Sequence, residues 1–416
     1  MAVSPPAPAL SAWRVVWWFG FVSLAADMVY EGARSVYGPL LAALGASAVV
    51  VGLVTGAGEA VALVLRLAFG PLADRTGRYW SLTILGYGLT AVCVPLLALA
   101  PRFGAAGLAF AATMILLERL GKAVRSPSKS ALLAHVATSV GRGRGFGVHK
   151  ALDQVGAFSG PLLVAGVVAV GSLWMGMAVL AVPGAIAMAL LLTLRRRVPD
   201  PAVYDGGPAA STAVPPAVGR RGWWAEAVGA GLPRDFFRYA VAASLTTGGL
   251  VTFGIIGYHL TVEGIVPVAA VPLVYAAAMA VEALAALLVG SAYDRTGTRV
   301  LLVVPVVVAL VPALALGSAL AAVLVGVVAW GFAQGVQDST IKAVVADLVE
   351  APRRATAFGV FAGIQGILAV VGGVTAGWLY ERSLVALVVV VALTQAVALA
   401  LLVDTFRRSG PRLRAG

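Results

Sequence analysis

One cysteine, Cys93, and three histidines in 416 residues leave no thiol pair for a disulfide framework and no Cys/His cluster for zinc. No G-x-x-x-x-G-K-[ST] loop is present, and LGKAVRS around Gly121 lacks its spacing. The glycines of GRGRGFG at 141–147 follow no strand, so a dinucleotide site has no framework either. Charge is scarce: 12% of residues are Asp, Glu, Lys or Arg, against about 25% in an ordinary soluble domain. The first residues, MAVSPPAPALSAW, lack the basic region and small-residue cleavage site of a secretory signal, and read as a short cytosolic tail. These absences exclude a soluble enzyme and a disulfide scaffold. They also leave ATP-driven chemistry without a site, and no catalysis, metal or cofactor is expected.

What fills the chain is apolar, with 60% hydrophobic residues and a mean hydropathy of +0.96. A helix crossing a bilayer needs about 20 such residues. Twelve runs qualify, at about 13–42, 47–71, 79–101, 104–136, 144–170 and 172–194, then 237–262, 266–291, 298–316, 318–349, 354–380 and 383–405. Turn residues separate them, among them Gly45, Gly77, Pro101 with Gly104, Gly264 with Pro267, Gly297 and Pro352. The expected fold class is all-α, a polytopic membrane protein with twelve transmembrane helices in two pseudo-symmetric six-helix bundles.

The net charge of +12 would suggest nucleic acid if it were spread over a surface. Instead the basic residues gather in alternate breaks: Arg75 and Arg78, Arg142 and Arg144, Arg195 to Arg197, Arg295 and Arg299, Arg353 and Arg354, Arg407 and Arg408. The opposite breaks hold only Arg102 and Arg382. The positive-inside rule then places both termini in the cytoplasm of a multi-pass protein of the cell (inner or plasma) membrane, with no nucleic-acid partner. Residues 195–236, rich in Pro, Gly and Ala, read as a cytoplasmic linker between an N-terminal bundle, 1–194, and a C-terminal bundle, 237–416. Trp223 and Trp224 beside Arg220 and Arg221 suggest an interfacial anchor in it.

The two halves repeat each other. GPLADRTGR at 70–78 returns as GSAYDRTGT at 290–298, VRSPSKSALLAHV at 124–136 as VQDSTIKAVVADL at 336–348, and GFGV at 145–148 as AFGV at 357–360. Such repeats are typical of carriers that rock about a central site. In the first loop Gly70 permits close helix approach, Gly77 permits a tight turn, and Asp74 can accept from helix N-terminal amides and from Arg78. Gly70, Asp74, Arg75, Gly77 and Arg78, with Gly290, Asp294, Arg295 and Gly297 of the second copy, form a candidate gating latch. This loop resembles the G-x-L-A-D-R-x-G-R pattern between helices 2 and 3 of the major facilitator superfamily, and helix count, linker and repeat extend the resemblance over the whole chain. The fifth run carries GAFSGP, with Gly156, Gly160 and Pro161, similar to the G-x-x-x-G-P stretch of that family's proton-coupled antiporter branches. The R-x-x-x-G expected on the fourth run is incomplete, since Ala123 follows Arg119.

Ionisable groups inside a bilayer cost about 2.5–3.5 kcal/mol each and must pair or face a wet cavity. Asp27, Glu31 and Arg34 share one face of the first helix, where Arg34 can neutralise Glu31. Glu118, Lys122, Arg125 and Lys129 line a stripe on the fourth, with Arg119 beside it. His149, Lys150 and Asp153 lie together on the fifth, and Asp338 and Lys342 one turn apart on the tenth. The candidate proton-coupling groups are Asp27, Glu31, Glu59, Glu118, Asp153 and Glu282. The candidate substrate-cavity residues are Arg34, Arg119, Lys122, Lys150, Tyr30, Tyr258 and Trp330. The expected function is secondary active export of a small organic compound, a drug or metabolite, by proton antiport through alternating access. The cationic stripe leaves open a proton-coupled importer of a small organic anion, and the fold leaves open a non-transporting receptor. A monomer that partners only its small-molecule substrate, protons and the lipid bilayer is expected.

Overall fold

The computed structural model describes residues 10–204, 231–339, 344, 345, 348–350 and 353–408. The middle of the expected linker, with Trp223 and Trp224, lies outside the described residues, as do Lys342 and the side chains of Arg142, Asp294 and Asp338. Among the described residues every regular element is helical. A bilayer admits this arrangement because a helix satisfies its own backbone donors and acceptors.

The first sequence half contains α1 (Ala12–Arg34), α2 (Tyr37–Ala43), α3 (Ala48–Val64), α4 (Arg66–Thr76), α5 (Tyr79–Leu96), α6 (Gly107–Thr138), α7 (Arg142–Val170), α8 (Leu173–Ala178) and α9 (Ala181–Arg197). The second contains α10 (Arg234–Gly249), α11 (Phe253–Val262), α12 (Val271–Thr296), α13 (Val303–Ala315), α14 (Leu320–Ser339), α15 (Arg354–Arg382) and α16 (Leu384–Arg408). Among the described residues, eleven helical stretches are long and apolar enough to cross a membrane. The longest, Tyr79–Thr138, has 60 residues and reverses at Gly104, whose φ of 53° lies in the left-handed region. Gly86 of α5 and Gly121 of α6 therefore face each other, so this stretch makes two crossings and brings the described spans to twelve.

Several expected spans are interrupted where a proline ring meets the carbonyl four residues earlier. Pro39 ends α1 near Ser35, and Pro183 separates α8 from α9 at Val179 and Leu180. The run expected at 237–262 breaks after Gly248 and Gly249, where Leu250 and Thr252 are extended. Pro161, by contrast, sits inside α7, which continues through it.

The chain forms two compact units. Within the described residues, the first comprises 10–33, Leu65–Gly104 and 109–204, and the second comprises Arg34–Val64, Ala105–Leu108 and everything from 231 onward. The segment Arg34–Val64, although part of the first sequence half, thus packs with the second half. Its seam is nearly free of side chains: Gly52 faces Gly373, Gly56 faces Ala369, and Ala48 faces Gly377, all α3 against α15. In the first unit, Val15, Val16 and Phe19 of α1 bury themselves against Leu132, Leu133 and Val136 of α6 and Leu194 of α9.

Candidate functional site

Two polar clusters stand out, one in each unit. The first begins with the glycines of α7. A methyl group on Gly156 or Gly160 would collide with the Leu24 or Met28 carbonyl of α1, so the two helices touch backbone to backbone. Asp27 and Asp153 sit on the two helices that meet in this way. Lys150 donates to Asp153 at 3.0 Å, although its own side chain is largely exposed. One turn toward the N-terminus of α1, Ser23 is a hub: Lys129 donates to its Oγ at 3.2 Å, with His149 Nε2 at 3.1 Å and the Tyr87 hydroxyl at 3.2 Å.

The stripe on α6 continues this network. Arg125 donates to the Thr90 hydroxyl at 2.5 Å and lies over the Tyr87 ring, 4.9 Å from its centroid. Arg119 donates to the Tyr30 hydroxyl, and Lys122 Nζ sits 3.8 Å from the centroid of the same ring. Glu118 is fully buried. It meets the Arg119 guanidinium at 3.5 Å, but among the described residues neither of its carboxyl oxygens has a hydrogen bond. Asp27, Tyr30, Glu118, Arg119, Lys122 and Asp153 are therefore brought into one connected region of the first unit.

In the second unit a cavity of about 100 Å³ is bounded by Arg34, Glu59, Thr247, Leu250, Val251, Thr252, Trp330, Gln334, Gln337 and Gln365, among others. Arg34 and Glu59 form an ion pair at 2.9 Å across α1 and α3, a partner for Arg34 that helical spacing alone does not indicate. Trp330 is buried, and its indole N–H donates to the Val251 carbonyl at 2.8 Å, satisfying a backbone group freed by the break between α10 and α11. Thr247 bridges Gln337 and Gln365, donating to Gln337 Oε1 at 2.7 Å and accepting from Gln365 Nε2 at 3.0 Å.

The remaining candidates fall outside these clusters. Tyr258 is half-buried, edge-on to the Tyr380 ring at 6.0 Å. Glu282 is half-buried on α12, and its backbone carbonyl lies against Gly335 of α14. In the loop copies Gly77 closes α4 with φ 62°, and Gly297 closes α12 with φ 66°. Asp74 is exposed and accepts from the Tyr79 hydroxyl at 3.0 Å. Arg75, Arg78 and Arg295 are exposed. A methyl group added at Gly70 would meet only Pro127, at 3.9 Å, and one at Gly290 would face open space, so neither glycine serves a close approach here. Ser23, Tyr87, Thr90, Thr247, Gln334, Gln337 and Gln365 were invisible to a reading based on charge. The signal that finds the three glutamines is the internal repeat, which sets them against charged residues of the first half. No group of three His, Cys, Asp or Glu among the described residues is placed to hold a metal.

Known proteins agree with this architecture. The family model described as Major Facilitator Superfamily matches residues 17–271 and 241–416. Uncharacterized proteins of Mycobacterium tuberculosis and Mycobacterium bovis are each 50% identical over 397 residues, covering 95% of this chain and 93% of theirs. An uncharacterized MFS-type transporter of Methanocaldococcus jannaschii is 28% identical over 148 residues, 36% of each chain. A variant of the nucleoside transporter NupG superposes with a TM-score of 0.74 at 14% identity, over 94% of this chain and 100% of that one. A bacterial homolog of the human lysosomal transporter Spinster, inward-facing and unoccupied, gives 0.67 at 16% identity, over 99% and 98%. At these identities the two structures speak for the fold alone.

Proposed function

The chain belongs to the Major Facilitator Superfamily and is a multi-pass membrane transporter, and on that premise we propose that it exports a small organic compound in exchange for protons. The observation that carries the coupling is the backbone-to-backbone packing of α1 on α7, the two helices that carry Asp27 and Asp153. Two carboxyl groups brought together by such packing hold a proton between them, because like charges at close range repel. Lys129, His149 and Ser23 stand next to this pair and offer a path for the proton. Glu118 is the second proton site: its buried, unbonded carboxyl carries charge only while Arg119 faces it.

Binding and release of the proton change the charge of the first unit, and a carrier with two access states favours whichever state suits that charge. Export is supported by Gly156, Gly160 and Pro161, whose pattern resembles antiporter branches of the family. The loops at 70–78 and 290–298 act as the latch between access states. The basic breaks support both termini in the cytoplasm of the inner membrane, and the carrier works as a monomer. The surplus of cations on α6 and α7 favours one competing reading, proton-coupled uptake of a small organic anion.

The test uses purified protein in proteoliposomes. A thermal-shift panel supplies ligands, and a pH jump then drives their flux. Proton-driven flux that is lost in Asp27→Asn and Glu118→Gln supports the proposal. Wild-type flux in both variants refutes it. Uptake of anions that collapses in Lys122→Gln, with export of neutral compounds unchanged, selects the competing reading.

A further inference from the structure

The cavity of the second unit contains a donor with nothing to donate to. Gln337 is 7% exposed, and among the described residues its Nε2 has no hydrogen-bond partner while its Oε1 is engaged by Thr247. Thr247 favours this orientation: its oxygen accepts from Gln365 at 3.0 Å, and its hydroxyl lies 2.7 Å from Gln337 Oε1, nearer than its other acceptor, the Ala243 carbonyl at 3.1 Å. A buried amide N–H is costly to leave unmade, which marks it as a place where a ligand atom belongs.

The internal repeat says what kind of ligand. The register that matches 124–136 with 336–348 sets Arg125 against Gln337 and, carried back along the helix, Lys122 against Gln334. The register that matches 145–148 with 357–360 sets Asp153 against Gln365 and Gly160 against Gly372. Packing extends the match: Gly160 abuts the Met28 carbonyl, and Gly372 abuts the Gly248 carbonyl. Met28 therefore corresponds to Gly248, and Asp27 to Thr247. The pair Asp27 and Asp153 of the first unit thus corresponds to Thr247 and Gln365 of the second, which are joined by a hydrogen bond. Asp27, Lys122, Arg125 and Asp153 have an uncharged hydroxyl or amide in their place, while Glu118, Arg119 and Lys150 are matched by the uncharged Trp330, Gly331 and Ala362.

The only charges on the cavity wall among its described lining residues are Arg34 and Glu59, and these are paired with each other. Their charges offset each other, so the described wall carries no net charge to draw in an anion or a cation, and it suits a neutral group. The break between α10 and α11 adds to the donor surplus, since Thr252 starts α11 without a side-chain bond to its first amides.

We propose that this cavity recognises an uncharged, oxygen-bearing group of the transported compound, a carbonyl or hydroxyl whose oxygen accepts from Gln337 Nε2. The first unit then handles protons and the second handles a neutral substrate. This assignment rests on the transport reading above, and it argues against an organic anion as the cargo. At about 100 Å³ the cavity takes one ring or amide group of a larger compound.

Benzamide, benzoate and benzylammonium share one shape and differ in charge, so they serve as probes of the purified full chain. The expected result is that benzamide gives the largest thermal shift and binds about 3- to 10-fold more weakly to Gln337→Leu, the effect of one lost hydrogen bond. In Gln337→Glu, which puts an acceptor where the donor was, preference moves to benzylammonium. That variant keeps the test decisive should Gln337→Leu not fold. A larger shift with benzoate, an unchanged benzamide affinity in both variants, or no shift with any probe overturns the proposal. Flux of bound probes under a pH gradient is scored separately. Gln337-dependent binding of benzamide with no flux of any compound would overturn the transport reading and leave the pocket standing.

Discussion

Replacing Gly160 by alanine adds a single methyl group at the contact that assembles the proton site. Its Cβ would lie 2.7 Å from Met28 Cα and 2.9 Å from the Met28 carbonyl carbon, and closer still to the carbonyl oxygen, where 3.4–4 Å is ordinary contact. The atoms it meets are backbone, so no side chain can swing away. Relief requires α7 to retreat from α1 by about 1 Å, and overpacking of this kind costs about 1–3 kcal/mol. The same retreat moves Asp153 away from Asp27, so proton-driven flux falls with stability. Gly166 is the matched control on the same helix, because nothing lies within 4 Å of a methyl group there. Alanine at 166 gains helix propensity, about 1 kcal/mol. Alanine at 160 gains the same propensity, so the two alanines should differ by the overpacking cost alone, roughly 1–3 kcal/mol. Thermal denaturation in detergent, with flux in proteoliposomes, measures both effects. Equal melting temperatures for Gly160→Ala and Gly166→Ala, with flux intact in both, would refute the packing argument and the proton site built on it.

Three further outcomes are expected. Glu118→Gln, which mimics the protonated acid, should abolish proton-driven flux while substrate exchange at equal pH persists. Loss of both would make Glu118 a structural group instead. Gly77→Ala forces an L-residue to φ 62° and should cost about 1–2 kcal/mol in thermal denaturation, whereas Tyr79→Phe, which removes only an exposed bond to Asp74, should stay within about 0.5 kcal/mol. Gly373→Val places a branched side chain against the Gly52 backbone, and a melting temperature equal to the wild type would show that this contact does not form in the membrane.

The spans were legible because run length alone identifies a helix that must satisfy its backbone in lipid. Their interruptions were legible only in part. Pro39 and Pro183 are visible in the sequence, yet Pro161 is equally visible and leaves α7 unbroken. A proline's effect depends on whether the freed carbonyl finds another partner, and that is a tertiary matter. The charged members of the first cluster could be singled out by their cost in a bilayer. Their partners on other helices could not: Arg34 meets Glu59 through a packing of α1 on α3 that no local spacing encodes. The glutamine pocket escaped for a different reason. Gln and Thr are cheap enough in a membrane helix to pass as ordinary, and only the registers of the repeat, combined with the observed packing, give Gln337 and Gln365 their meaning.

The contact between α3 and α15 has a mechanical consequence. Where Gly52, Gly56, Gly373 and Gly377 meet, there are almost no rotamers to freeze on closing or to release on opening. Such a surface slides and separates like two polished faces: adhesion comes from dispersion over many small contacts, each worth about 0.1–0.2 kcal/mol. Interlocked leucines would have to disengage one tooth at a time, whereas a smooth joint has few side chains to reorder when its two faces shift.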